Sequence, residues 1–253
     1  IIGAGAGIGG HVGKRFARDG YHIILSRRSD ASGLENLVKD IVQDGGSAEG
    51  RLLNIVDENA IENLIHDIEK NSGPIEVVVH NIGAQIGNRR LTDTSLKTFE
   101  LGWRLSCFSL FRLAYTVLPL MAQRGQGTLL VTSSTAAQRG NAGQHSHAAA
   151  MGGRRMLCQS LNAEFASQNI HVAHIVIDGA VDAPDTLGKM LGPEAFEKLR
   201  KDKGSEDGLM LPEHIADTYF HIAQQHRSVW THELDLRSFS DEAWWNHAVN
   251  IEF

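Results

Sequence analysis

The opening of the chain restricts its fold more than any other stretch of the sequence. Residues 3–9 read Gly-Ala-Gly-Ala-Gly-Ile-Gly, and they stand between two β-branched residues and the start of a helical pattern. Glycine suits this turn because a side chain would hold the backbone away from a pyrophosphate at the amino end of the following helix. A second strand pattern follows about twenty residues further on, so the context predicts a dinucleotide-binding βαβ unit rather than an ordinary tight turn. The predicted contacts to the dinucleotide are Gly3, Gly5, Gly7, Ile8 and Gly9.

Short β-branched segments alternate with longer helical patterns along the whole chain, as they do in stacked βαβ units. Val77, Val78 and Val79 form an all-apolar strand centre, which is typical of a strand covered by helices on both faces. The pattern predicts one α/β domain over residues 1–253, a three-layer Rossmann fold with a doubly wound, mostly parallel, seven-stranded sheet. We expect the first strand to begin before Ile1. The predicted strands are residues 1–2, 21–25, 48–53, 75–80, 127–132, 170–177 and 230–236, and the predicted helices are residues 7–19, 31–44, 57–72, 95–123, 144–167 and 212–225.

The composition excludes several classes of protein. The formal net charge is −6, whereas a general binder of nucleic acid or of an anionic membrane needs a basic face. We find no apolar run of about 18 residues, and the two cysteines argue against a disulfide scaffold. We therefore expect a soluble, cytoplasmic protein whose partner is a small-molecule substrate, not a nucleic acid or a membrane.

Residues 182–211 form the least regular part of the chain, with glycine, proline and mixed charges between two apolar patches. In a parallel α/β sheet this part follows the carboxyl end of a strand, where ligands bind, so we interpret it as a substrate lid. Its apolar residues either favour an apolar carbonyl substrate or belong to the ordinary core. They are Leu187, Met190, Leu191, Phe196, Leu209 and Met210.

The second predicted strand leads into Ser26, Arg27 and Arg28, and these residues bear on the choice of cofactor. An NAD-preferring site usually has an acidic residue at this strand end, which holds the ribose hydroxyls. Arginine can instead bind a 2′-phosphate through two parallel charged hydrogen bonds, whereas an acid would repel that phosphate. The sequence therefore favours NADP(H) over NAD(H). The alternative is that both arginines belong to a solvated surface.

Further motifs follow in an order that resembles the short-chain dehydrogenase/reductase family over nearly the whole chain. The spacing of the opening glycines resembles that family's cofactor motif, and residues 127–134 resemble its fifth strand with the active-site serine. Residues 80–84 resemble its Asn-Asn-Ala-Gly stretch, and Asp178-Gly179 stands where the family usually has Pro-Gly. The resemblance implies the strand order 3-2-1-4-5-6-7, usually in a homodimer or homotetramer. It also implies cofactor contacts from Asn54, Ile55, Asn81, Ile82, Gly83, Gly179 and Val181.

The catalytic residues that the resemblance implies are mostly replaced. Family members transfer hydride between a nicotinamide and a carbonyl or alcohol, using a tyrosine, a serine, a lysine and an asparagine. Ser134 matches the serine, but His147 stands at the position of the tyrosine and Met151 at that of the lysine. Ser106 stands at the position of the asparagine, and Ala183 replaces a threonine near the nicotinamide amide. Our candidate catalytic residues are therefore Ser134, His147 and Ser106.

Two interpretations of these replacements stay open. In the first, the chain is an oxidoreductase with an atypical Ser-His site, in which His147 is the general acid/base and Ser134 holds the carbonyl oxygen. Histidine, with a reference pKa of about 6.5, needs no neighbouring cation at neutral pH, whereas tyrosine, at about 10, does. In the second, the chain is an NADP(H)-binding sensor or interaction protein that has lost the chemistry. We predict no metal site, because no nearby cysteine or carboxylate completes one with His145 and His147.

Two aromatic clusters carry weaker signals. Trp103, Phe108 and Phe111 recur at near-helical spacing, which indicates core or a subunit interface rather than a substrate site. Trp244 and Trp245 near the carboxyl end would be a liability if exposed, so we expect them against a partner subunit or over the active site.

Overall fold

The computed structural model describes residues 1–83 and 90–246, and it shows strands and helices alternating along the chain. The strands are β1 (His22–Arg27), β2 (Ser47–Leu52), β3 (Val77–His80), β4 (Gly127–Ser134), β5 (Ile170–Ile177) and β6 (Glu233–Leu236). The helices are α1 (Ile8–Arg18), α2 (Ala31–Gln43), α3 (Ala60–Asn71), α4 (Leu96–Trp103), α5 (Ser109–Arg124), α6 (His145–Phe165), α7 (Lys189–Leu191), α8 (Pro193–Gly204) and α9 (Pro212–Ala223).

The strands form one parallel sheet. β1 pairs with β2, and β3, β4, β5 and β6 pair in that order. Ile2 lies between the two groups, where it bridges Ser26 of β1 and His80 of β3. With Ile2 counted as the first strand, the order is 3-2-1-4-5-6-7. The predicted Rossmann fold is therefore confirmed, with the first strand reduced to the bridge at Ile2.

Helices cover both faces of this sheet. Leu129 and Leu130 are adjacent in β4 and fully buried, and their side chains point to opposite faces because the strand has a period of two. Leu129 shares a core cluster with Leu64 of α3 and Leu113 of α5. Leu130 shares the other cluster with Phe16 of α1. The core therefore lies in two apolar layers, one on each side of the sheet. These layers do not cover the carboxyl ends of the strands, where a Rossmann fold binds its ligand.

The long helix that leads towards β4 is interrupted by a π turn. α4, the π turn Arg104–Phe108 and α5 follow one another without a break, close to the predicted helix 95–123. Among the residues described, Leu96–Arg124 is the one helical stretch long and apolar enough to cross a membrane by length and composition alone. Leu110 and Val117 of this stretch are fully buried in the core cluster, so it packs as a core helix of a Rossmann layer does.

The segment 182–211 is more regular than the sequence indicates. α8 fills the middle of this segment, which the sequence pattern predicts to be the least regular part of the chain. Gly192, with φ 85° and ψ 157°, follows α7, and Pro193 begins α8 at its first position. The Gly-Pro pair is therefore a boundary between two helices rather than a loop, because proline suits the first turn of a helix.

The last strand is shorter than the predicted 230–236. β6 begins at Glu233, since the Thr231 N–H donates to the side-chain Oε1 of Gln225 (2.8 Å) and not to a neighbouring strand. The side chain of Gln225 thus accepts the Thr231 N–H, which in a longer strand would donate to the neighbouring strand.

Candidate active site

Two glycines of the opening turn have no room for a side chain. Gly3 has φ 98°, and a Cβ there would lie 2.4 Å from the Asn81 carbonyl oxygen. A Cβ on Gly9 would lie 2.3 Å from the Gly3 carbonyl oxygen. The Gly3 N–H donates to Ser26 O (2.9 Å), and Asn81 Nδ2 donates to Gly3 O (2.9 Å). By contrast, a Cβ on Gly5 would meet nothing within 4 Å, so Gly5 faces open space.

The amino end of α1 is arranged to receive an anion. Its N-cap residue, Gly7, makes no side-chain capping hydrogen bond, and its first turn has no acidic residue. The first amides of a helix have no partner inside the helix, and the helix dipole adds positive potential there. Gly7 and Ile8 line the cavity beyond this end, so an approaching phosphate would meet bare backbone.

One cavity of about 370 Å³, which we call the arginine cavity, lies beside the ends of β1 and β2. Ser26 is buried, and its hydroxyl donates to Ile1 O (3.2 Å), so its side chain supports the turn. Arg28 is exposed at the rim. The cavity is lined by Ile2, Gly3, Gly5, Ser26, Arg27, Arg28, Ser29, Leu53, Ile55, Asn81, Ile82, Gly83 and Leu105.

Arg27 is already engaged by a carboxylate. Its Nη2 lies 3.0 Å from Asp30 Oδ2. Asp30 adopts a left-handed φ of 66° at the N-cap of α2 and accepts from the Gly33 N–H (2.9 Å). The hydrogen bond from Gly33 is the main reason why the pKa of Asp30 is lowered, and the charge of Arg27 lowers it further. A phosphate entering this cavity would therefore compete with Asp30 for Arg27, while Arg28 stands at its rim.

A second cavity of about 320 Å³, which we call the serine cavity, lies at the ends of β4 and β5. It shares Gly3, Gly5 and the stretch 81–83 with the arginine cavity, so the two form one groove across the carboxyl edge of the sheet. That edge is where Rossmann folds bind their ligands. The serine cavity is lined by Gly3, Gly5, Gly7, Ile8, Gly9, Asn81, Ile82, Gly83, Thr132, Ser133, Ser134, His147, Met151, Arg154, Ile177, Val181, Ala183 and Thr186.

A third cleft, of about 480 Å³, lies beside Ile1 between β1 and β3. It opens at the amino ends of the strands, which is the wrong edge for the ligand of an open α/β sheet. We therefore assign the site to the groove.

Ser134 and His147 meet in the wall of the serine cavity. Ser134 is the last residue of β4, and His147 lies in the first turn of α6. Ser134 Oγ lies 3.1 Å from His147 Nε2, which is a hydrogen bond. The two residues that the sequence proposed as reacting groups are thus brought into direct contact.

Met151 and Ser106 lie behind this pair. Met151 is 2% exposed, and its Sδ accepts from Ser106 Oγ (3.9 Å) and Ser133 Oγ (3.8 Å). Ser106 is fully buried within the π turn. Met151 therefore packs between two serines, and Ser106 is separated from the groove by other side chains.

Arg154 was not among our candidates, yet it lies in this wall. It is 1% exposed and donates to Thr132 O, to Ile82 O (2.9 Å) and to Ser106 Oγ (2.6 Å). Burial lowers the pKa of its guanidinium to about 10. The signal in the sequence was helical spacing, since residues 147, 151 and 154 fall on one face of α6. Arginine at such a position usually indicates a solvated face, so the spacing alone was not decisive.

Asn54 and Gly179 do not line either cavity of the groove, whereas Val181 lines the serine cavity. Asn54 Nδ2 donates to Asp57 Oδ1 (2.7 Å), so this side chain is held next to its own loop. Gly179 packs against Met210, and Val181 forms an isolated parallel β-bridge with Met210. Ala84, part of the motif 80–84, lies outside the described residues. Within the described ranges, no group of three or more His, Cys, Asp or Glu side chains is arranged to hold a metal ion.

Comparisons with family models, with curated proteins and with solved structures agree with one another. Residues 3–233 match the family model described as enoyl-(acyl carrier protein) reductase. The 7α-hydroxysteroid dehydrogenase of Escherichia coli strain K12 is 29% identical over 199 residues, which cover 79% of this chain and 76% of that protein. The crystal structure of a short-chain dehydrogenase from Rhodopseudomonas palustris superposes with a TM-score of 0.78 at 29% identity, covering 94% of this chain and 96% of that one.

A further solved structure is similar to this chain. A 7α-hydroxysteroid dehydrogenase complexed with NADH and 7-oxo glycochenodeoxycholic acid superposes with a TM-score of 0.81 at 26% identity. The match covers 94% of this chain and 91% of that one. The chain belongs to the short-chain dehydrogenase/reductase family of oxidoreductases.

Proposed function

We propose that this chain is an NADP(H)-dependent oxidoreductase that transfers hydride between the nicotinamide and a carbonyl or alcohol substrate at an atypical Ser-His site. The observation that carries the proposal is the 3.1 Å contact between Ser134 Oγ and His147 Nε2 in the wall of a groove suited to a dinucleotide. A hydroxyl and an imidazole in contact can hold a carbonyl oxygen and move its proton.

The groove fits a dinucleotide in shape and in chemistry. The open space beside Gly5 and the uncapped amino end of α1 would hold the pyrophosphate. The arginine cavity would take the adenosine half, with Ile55 beside it and Arg27 and Arg28 near the 2′-phosphate. The serine cavity would take the nicotinamide. The similar 7α-hydroxysteroid dehydrogenase complex holds NADH, which supports a nicotinamide cofactor.

Each side chain then has a separate task. The bound nicotinamide supplies or accepts the hydride. Ser134 Oγ donates a hydrogen bond to the substrate oxygen. In the direction of reduction, His147 gives the proton of its Nε2 to that oxygen, and in the reverse direction it takes the proton back. Ser106, which we named as a catalytic candidate, acts through its hydrogen bond with Arg154 rather than on the substrate.

The substrate would enter beside the segment 182–211. Ala183 and Thr186 line the serine cavity, so the start of this segment borders the reacting groups. Met190 and Leu191 follow with 63% and 42% exposure. We therefore retain this segment as a lid over an apolar carbonyl compound.

The assembly proposed is a homodimer or homotetramer. Trp103, Phe108, Phe111 and Tyr115 form a row of neighbouring rings whose centroids are 5.3, 6.5 and 6.0 Å apart. Tyr115 is 73% exposed and Phe111 is 47% exposed, and aromatic rings left open to water in a row mark an interaction surface. Free, buried Cys107 and Cys158 suit the reducing cytoplasm.

A turnover assay on a panel of carbonyl compounds with NADPH tests the function. His147→Ala should lower kcat/KM by about 10²-fold or more, with NADPH affinity unchanged, because only the proton transfer is lost. His145→Ala is the matched control, since two residues along a helix point to different sides. Undiminished activity in His147→Ala would remove this residue from its role.

The second candidate function is a nucleotide sensor without chemistry. Met151 favours it, because this buried, apolar side chain stands where the family has a lysine. Saturable NADPH binding together with no turnover on any carbonyl would favour the sensor over the enzyme.

A further inference from the structure

The serine cavity contains a positive charge for which the described part of the chain supplies no negative partner. Among the described residues that line it, there is no Asp, Glu or Lys, and Arg154 is the one permanently charged side chain. Its hydrogen-bond acceptors are uncharged oxygens of Thr132, Ile82 and Ser106. These three acceptors come from β4, the stretch after β3 and the π turn, so the guanidinium is fixed in place from three sides.

The titratable groups around Arg154 leave its charge uncompensated at neutral pH. Burial raises the pKa of the Cys158 thiol to about 12 and lowers the pKa of the His174 imidazole to about 4, so both groups are neutral. Burial shifts the remaining groups in the direction of their neutral forms as well. The groups that feel the charge of Arg154 include His80, Cys107, Cys158, His174 and Tyr219.

Arg154 itself stays charged. Burial lowers the pKa of its guanidinium only to about 10, which is still well above neutral pH. A buried charge without a counter-charge costs several kcal/mol unless well-placed hydrogen bonds compensate for lost water. Such a residue is costly as a mere structural clamp, because neutral side chains can also bind carbonyl oxygens.

We propose that Arg154 is the positioning residue that sets the charge preference of the site, so that the chain binds NADPH in preference to NADP⁺ and works as a carbonyl reductase. This inference rests on the proposed function. The nicotinamide ring of NADP⁺ is cationic and that of NADPH is neutral, so a fixed guanidinium in the same cavity repels only the oxidised ring. The phosphates are common to both forms and cancel in the comparison.

The same charge also acts on the reacting oxygen and on release of the oxidised cofactor. In the direction of reduction, a bound dihydronicotinamide would supply hydride to the carbonyl carbon, and the electron pair of the C=O bond would move to oxygen. A protonated His147 would give its proton to that oxygen, which would leave an alcohol, a neutral histidine and NADP⁺. A nearby positive charge stabilises the negative charge that develops on oxygen and disfavours retention of the cationic ring.

The test is the ratio of the dissociation constants of NADP⁺ and NADPH, measured by calorimetry at neutral pH in the parent, Arg154→Lys and Arg154→Gln. Unit charges a few ångströms apart inside a protein interact strongly enough that the ratio should fall by roughly tenfold in Arg154→Gln. Arg154→Lys keeps the charge and should hold the ratio within about threefold of the parent. A purely structural role would weaken both nucleotides alike and leave the ratio unchanged.

A second variant covers the case in which Arg154→Gln does not fold. Met151→Glu leaves Arg154 in place and adds a carboxylate beside Ser106, so it should also lower the ratio. Equal ratios in the parent and the charge-neutralising variants would overturn this inference alone. If the parent binds neither nucleotide, the proposed function fails, and this inference fails with it.

Discussion

The phosphate end of the groove and its catalytic end are built on different principles. At the phosphate end, Gly3 and Gly9 approach neighbouring backbone so closely that no Cβ fits, and the turn agrees with the family pattern. At the end that we propose as catalytic, His147 and Met151 stand where the resemblance to the family places a tyrosine and a lysine. The comparison shows that close backbone contacts in the turn leave no room for a side chain at Gly3 or Gly9. At the other end we propose that the reacting side chains have changed and that Arg154 supplies the positive charge.

The largest effect should come from a side chain in the tight turn. Gly9→Ala places a Cβ 2.3 Å from the Gly3 carbonyl oxygen, so the turn must open. We expect a loss of about 3 kcal/mol or more in the free energy of unfolding, measured with urea. Gly5→Ala is the control, because its Cβ meets no protein atom: its stability should stay within about 0.5 kcal/mol of the parent.

The same pair of variants separates folding from binding. The Cβ of Gly5→Ala projects into the groove, so NADPH affinity should fall by about tenfold or more although the protein folds normally. If Gly5→Ala bound NADPH as well as the parent, the pyrophosphate would lie elsewhere and the contrast between the two ends would be lost.

At the catalytic end, Ser134 and His147 should act as one unit. Ser134→Ala and His147→Ala should each lower kcat by about 10²-fold or more, and the double variant should lose little beyond either single one. The reason is that the hydroxyl and the imidazole serve the same oxygen. Single-turnover kinetics with saturating NADPH measure this; strictly multiplicative losses would show that the two residues act independently.

Acid should destabilise the central strands through buried histidine. Burial lowers the pKa of His174 to about 4, against the opposing effect of Glu233, whereas an unfolded histidine has one of about 6.5. Between pH 4 and pH 6.5, His174 therefore binds a proton more readily in the unfolded chain than in the folded one. Stability is therefore complete above about pH 6.5 and is lost as the pH falls towards 4, by up to about 3 kcal/mol.

His174→Gln checks this assignment, since glutamine keeps a donor for Glu233 but cannot take up a proton. The slope of unfolding free energy against pH between about 6.5 and 4 should flatten in this variant. A parental slope in His174→Gln would place the titration at another group.

The smallest effect concerns the choice between NADPH and NADH. Arg28→Ala should narrow the parent's preference for NADPH by about tenfold, because a charged hydrogen bond to the 2′-phosphate is lost. Arg27→Ala should narrow it less, since Asp30 already occupies that guanidinium. Calorimetry with both cofactors gives the two ratios, and equal affinities in the parent would contradict the arginine argument.

The sequence was most informative where periodicity and glycine decide the structure. The βαβ turn and the parallel sheet could be predicted, because strand, turn and helix follow one another locally. Ser134 and His147 were named from the resemblance to the family, and their contact is seen only in the structure. α8 was missed because Gly192 and Pro193 look like loop residues when their neighbours in space are unknown. The hydrogen bond from Asn54 to Asp57 could not be predicted either, since both are polar residues of one loop.

Arg154 shows a different kind of gap between sequence and structure. Its position is fixed by carbonyl oxygens from three elements that are far apart along the chain. Spacing places it on the same face of α6 as His147, but only the packing of β4 and the π turn shows that the Arg154 side chain is buried. A charge in a helix is usually solvated, so pattern alone gives the wrong expectation here.

The central claim is that one groove holds the diphosphate over the glycine turn and the nicotinamide beside the Ser-His pair. A crystal structure of the chain with NADPH tests it most directly. We expect the pyrophosphate at the amino end of α1 beside Gly5, and the nicotinamide ring within reach of Ser134 and His147. A cofactor bound elsewhere, or a ring turned away from His147, would contradict the account.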